Sequence, residues 1–69
     1  MNYYETLEEL AENGFENFIN FVRNDKNLLY EVEESELGET EVEVEILDEN
    51  EGTEFLGRFC FDEFGNYVM

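Results

Sequence analysis

The residues with the greatest chemical capacity in this chain are its carboxylates. Twenty Asp and Glu stand against three Lys and Arg, which gives a formal net charge of -17 and a pI near 4.1. Closely spaced carboxylates serve three kinds of chemistry: acid and base catalysis by a pair with separated pKa values, coordination of a hard cation, and recognition of a basic surface. Catalysis needs a pocket, and a 69-residue chain with a thin core has little room to build one. Cation binding has one candidate, Asp48-Glu49-Asn50-Glu51-Gly52, which opens like a calcium loop. Its glycine falls at loop position five rather than six, however, and position twelve is Phe59 instead of a bidentate Glu. The chain has no His, and its single cysteine, Cys60, lies between Phe59 and Phe61 with no activating base in sequence reach. Neither a zinc site nor a thiol nucleophile has its parts. No enzyme activity, catalytic residue, metal or cofactor is expected, which leaves recognition.

The elements that must position these carboxylates follow from the apolar pattern. With 42% hydrophobic residues, including seven Phe and four Tyr, the chain is too apolar for the highly charged disordered class, so a single folded domain over 1–69 is expected. Thr6-Leu7-Glu8-Glu9 reads as a capping box. Beyond it Leu7, Leu10, Ala11, Phe15, Phe18, Ile19, Phe21 and Val22 share one half of a helical wheel, predicting an amphipathic helix at about 6–23. Asn13-Gly14 interrupts that helix, but the unbroken apolar phase favours one helix, kinked at Gly14, over two. From Leu28 the period changes to two, predicting strands at about 28–33, 41–47 and 54–62, with a further short strand at 67–69. The fold class is therefore α+β, one N-terminal amphipathic helix packed on a three- or four-stranded antiparallel meander sheet. Phe15, Phe18, Phe55, Phe59 and Phe61 are expected in the core, with Leu56, Arg58, Cys60 and Asp62 on the opposite face of the third strand. Tyr3, Tyr4, Phe64 and Tyr67 fit either the core edge or an interface.

On these elements the carboxylates form rows. Glu5, Glu9, Glu12 and Glu16 fall within about 60° of one another on the wheel, opposite the apolar half. Glu31 and Glu33 line the exposed face of the first strand, and Glu41, Glu43 and Glu45 line that of the second at a spacing of about 6.7 Å. Like charges at these spacings oppose both helix and sheet by roughly 0.2 to 1 kcal/mol per pair. Solubility alone asks for a net charge of only about 2 to 8 in magnitude. A local rule broken this often without compensation marks a functional surface. The nine glutamates of these rows are the candidate partner-binding residues.

In length, charge and the rows Glu5/Glu9/Glu12/Glu16 and Glu31/Glu33/Glu41/Glu43/Glu45, the chain resembles the small acidic DNA-mimic proteins of phage, including anti-CRISPR and anti-restriction proteins and acidic inhibitors of uracil-DNA glycosylase. The resemblance implies a stoichiometric inhibitor that fills the basic nucleic-acid groove of a host defence enzyme, most of all a CRISPR effector or restriction enzyme. Direct binding to nucleic acid is excluded by charge, since nucleic-acid binders need basic stripes. The alternative from another class is an antitoxin or immunity protein that caps a basic toxin nuclease. A third is a subunit of a larger assembly that pairs through an exposed sheet edge. The chain is expected to be a monomer or weak homodimer. No basic leader opens it and no apolar run approaches the roughly 20 residues that span a bilayer, so it is expected in the cytoplasm of the host cell, away from membranes. The lone Cys fits that reducing compartment.

Overall fold

A computed structural model describes residues 3–48, 50 and 52–68. Two helices, α1 (Tyr3–Glu12) and α2 (Phe15–Asn24), precede four strands, β1 (Leu28–Glu34), β2 (Thr40–Asp48), β3 (Gly52–Phe61) and β4 (Tyr67–Val68). The strands form one antiparallel sheet in the order β1-β2-β3-β4. The α+β meander is thus as expected, with two helices where one was expected. Met69, placed in the last strand from sequence, and Glu49 and Glu51 of the β2–β3 turn lie outside the described residues.

The helix divides at Gly14 because its backbone adopts φ 112° and ψ 159°, a region open essentially to glycine alone. This turn lets α2 start afresh, with the Phe15 N–H donating to the Gly65 carbonyl at 2.9 Å. A carbonyl of the β3–β4 turn thereby satisfies one of the amides left open at a helix start. The apolar phase survives the break because both helices lie on the same face of the sheet, so both must aim that phase the same way. Leu7 and Ala11 from α1 and Phe18, Ile19 and Val22 from α2 are buried with Leu28, Val42, Val44, Phe59 and Phe61 of the sheet. Phe18 sits at the centre, its ring centroid 4.9 Å from Phe59 and 5.2 Å from Phe61. Burial of each such ring contributes about 1.5–3 kcal/mol.

The start of α1 also departs from the sequence reading. It begins at Tyr3, so Thr6 lies inside the helix and is not its cap. Tyr3 packs against the core and its hydroxyl donates to Asp25 Oδ2 at 3.1 Å, while Glu5 in the first turn suits the positive helix end. These contacts draw the helix start back past the local capping signal.

Phe55 is the third departure. Val44 pairs with Gly57 and Glu45 with Phe55, so β3 carries one extra residue, Leu56, in a β-bulge. Because side chains alternate with period two, one inserted residue moves everything on its far side to the other face. Phe55 therefore stands outside the core, 58% exposed, while Leu56 packs against the core in its place. Gly57 admits the ring of Tyr4: a Cβ there would meet Tyr4 Cε2 at 3.0 Å. Of the four ambiguous aromatics, Tyr3 and Tyr67 border the core, Tyr4 leans on Phe59 while staying exposed, and Phe64 is exposed.

Gly14 gives a test whose sign separates the two helical arrangements. In a continuous helix Gly14→Ala would stabilise by about 1 kcal/mol. At φ 112° it destabilises, by about 1–3 kcal/mol, which urea unfolding of the two proteins measures.

Candidate functional site

The face of the sheet turned away from the helices is built by the same alternation that builds the core. Each buried Val of β2 is flanked by glutamates pointing the other way, and the strand register sets what lies beside them. Three rows run across β1, β2 and β3: Leu29–Glu45–Phe55, Glu31–Glu43–Arg58 and Glu33–Glu41–Cys60, the last continuing to Val68 of β4. All five glutamates expected on the sheet are brought together here. Glu31 directly opposes Glu43, and Glu33 directly opposes Glu41. Directly opposed Cβ atoms lie about 4.5–5.5 Å apart, a distance at which like charges destabilise the pair.

The helix carboxylates are elsewhere. Glu5, Glu9 and Glu12 are exposed on α1 and Glu16 in the first turn of α2, so the expected single stripe is divided between two helices. Both helices cover the opposite side of the sheet. The helical and strand carboxylates consequently form two separate acidic surfaces.

Arg58 partly relieves the middle row. Its Nη2 and Nε donate to Glu43 Oε1 at 2.8 and 3.2 Å. That hydrogen bond and the Glu43 charge raise the guanidinium pKa further, so it stays protonated. Solvent-screened surface pairs of this kind contribute little to stability. The Glu33–Glu41 row has no cation in register. There the neighbour across the sheet is Cys60, whose Sγ lies 3.6 Å from Glu41 Oε1 and donates to it. Burial first, then the Glu41 charge, push the thiol above its ordinary pKa. A thiol held protonated is a poor nucleophile at neutral pH, consistent with a packing role for Cys60.

The face also has an apolar end that sequence reasoning missed. Leu29, Leu47 and Phe55 surround Glu45, with Leu29 43% and Leu47 47% exposed. A depression of about 250 Å³ lined by Leu29, Tyr30, Glu31, Glu43 and Glu45 lies where the apolar and acidic ends meet. The available signal was Gly57, since a glycine inside a strand pattern often marks a bulge. Comparison with protein-family models, curated proteins and solved structures finds no match. No helix among the described residues is long and apolar enough to cross a membrane.

Two measurements probe this electrostatic design. Glu33→Lys, which puts a cation opposite Glu41, should stabilise the domain by about 0.2–1 kcal/mol at low ionic strength. The gain should fade near 1 M salt, where the Debye length is about 3 Å. Cys60 alkylation by iodoacetamide should run slower than that of free cysteine at pH 8. Glu41→Gln should shift its pH profile downward but not restore it fully, because burial is the larger cause.

Proposed function

We propose that this protein is a non-enzymatic inhibitor from a phage or mobile element that imitates nucleic acid. It occupies the basic nucleic-acid-binding site of a host defence enzyme, foremost a CRISPR effector or restriction enzyme, in the host cytoplasm. The observation that carries this reading is the direct opposition of Glu31 to Glu43 and of Glu33 to Glu41 on a sheet face that no helix covers among the described residues. Neighbouring strands lie about 4.8 Å apart and alternate residues along a strand about 6.7 Å apart, so the glutamates form a rigid two-dimensional array of negative charge. A site that clamps phosphates with Arg and Lys accepts such an array through charge-assisted hydrogen bonds. Repulsion within the array is relieved when a basic surface covers it, which directs the stored penalty toward binding.

Tagged protein exposed to host lysate should retain a basic nucleic-acid-binding enzyme, and short duplex DNA should release it. Retention that DNA cannot reverse would sink the mimicry. Substituting Glu41, Glu43 and Glu45 together by Gln should slow association at low salt by an order of magnitude or more. The melting temperature should not fall, and the difference in association rate should shrink as salt rises.

A further inference from the structure

The first strand of the sheet is an edge, and its chemistry selects what can pair with it. β1 matches β2 residue for residue over its full length, with no bulge, and has no strand on its other side among the described residues. Two ladder bonds fix the phase of its backbone: the Leu47 N–H donates to the Asn27 carbonyl at 2.8 Å and the Ser35 N–H to the Glu39 carbonyl at 2.8 Å. Antiparallel ladders alternate, so Leu29, Glu31 and Glu33 turn their backbone groups toward β2, while Tyr30, Val32 and Glu34 turn theirs outward. Natural edges are normally blunted by charged side chains, Pro, bulges or a covering element. Among the described residues this one has no Lys, Pro, bulge or cover, and its only blunting charges are the glutamates Glu31, Glu33 and Glu34.

Its side chains are equally specific. On the helix side, Tyr30 and Val32 remain 37% and 44% exposed, because the helices reach only as far as buried Leu28 at the start of the strand. On the other side stand Glu31 and Glu33, both exposed, with the chain's one strand arginine, Arg58, two strands away beside Glu43. A second copy of this protein is a poor occupant. Antiparallel pairing of two β1 strands about Val32 would set Glu31 against the other copy's Glu33 twice, on two bodies each carrying a formal charge of -17.

We propose that β1 is a docking edge for an extended segment of another protein in which basic and apolar residues alternate. Added antiparallel to β1, such a segment bonds the outward N–H and C=O groups of Tyr30 and Val32 and places its apolar side chains beside theirs. Its Arg or Lys side chains then fall opposite Glu31 and Glu33, at non-hydrogen-bonded positions where opposed Cα atoms are only about 4.5 Å apart. The edge thus repels itself and accepts a basic strand, a form of recognition by strand addition. The proposal does not rest on nucleic-acid mimicry and requires only that the partner carry this segment.

The probe is a capped heptapeptide of alternating arginine and valine, compared with the same peptide N-methylated along its pairing edge and with hepta-arginine. The alternating peptide should bind at least about tenfold more tightly than either control. It should also slow hydrogen exchange at the Tyr30 and Val32 amides by a similar factor. Equal affinity for the methylated peptide, or unchanged exchange at those amides, would overturn the proposal, because unspecific charge attraction needs no free edge. Val32→Pro removes an outward N–H without breaking the β1–β2 ladder, a placement edge strands tolerate. It should melt as a folded domain and lose the peptide selectivity. A DNA-releasable host enzyme that binds Val32→Pro as well as the wild type would remove the edge contact and leave the mimicry standing. Selective peptide binding without any nucleic-acid enzyme among the partners would do the reverse.

Discussion

The strict alternation of β2 couples the core to the charged face. Val42 and Val44 are fully buried beneath the helices, and a strand that turns them inward must turn Glu41, Glu43 and Glu45 outward. The acidic array therefore cannot loosen or drift without the core loosening too. Packing of Phe18 against Phe59 and Phe61 has to outweigh the repulsion that the register creates between β1 and β2. Charge on a flexible tail would spread to relieve itself. Here the hydrophobic core holds it in place.

The helices depend on the sheet in return. Each is only 10 residues long, short enough to be marginal on its own in water. Their stability comes from the face they bury and from two ties to distant parts of the chain. Tyr3 reaches Asp25 at the entry to β1, and the Gly65 carbonyl receives the first amide of α2. The turn that supplies Gly65 is itself ordered by Asp62, whose Oδ1 accepts from the Phe64 and Asn66 amides at 2.9 and 2.8 Å. Those bonds, Asn66 foremost, hold the Asp62 carboxyl below its usual pKa even though burial acts in the opposite sense. The sign is that of a group whose contribution is present above its unfolded pKa and lost as pH falls through the folded one. Acid thus loosens the turn whose carbonyl starts α2.

Much of this was legible from residue order. The alternation through Glu41–Ile46 located β2 and its glutamates, and the apolar half-wheel identified the core side of both helices. What escaped notice had non-local causes. The apolar phase is blind to a break when both helices serve the same face, so only the backbone at Gly14 separates one helix from two. Thr6 lost its capping role to contacts made by Tyr3 with a residue more than twenty positions away. Phe55 was misplaced because alternation assumes an unbroken register, and a single bulge at Leu56 reversed its face. At the apolar end of the candidate face, Leu29 and Leu47 follow from plain alternation in β1 and β2, and only Phe55 owes its place to the inserted residue.

That reversal changes one residue of the surface. Leu29 and Leu47 stand on the outer face by the alternation of β1 and β2 alone, and an unbroken β3 register would set Leu56 beside Glu45; the bulge sets Phe55 there instead. Leu29, Leu47 and Phe55 close one end around Glu45, and the opposed pairs Glu31–Glu43 and Glu33–Glu41 lie beyond it. An apolar end fixes position along the face, because a partner's aliphatic or aromatic side chain gains burial only there, at about 25 cal/mol per Å² removed from water. For the basic partner proposed above, long-range attraction would bring it in and short-range packing would set its register. A chain that needed acidity only for solubility would have no reason to oppose glutamate to glutamate, or to spend a phenylalanine beside them. Under the proposed function, the combination suits one docked arrangement on a basic protein.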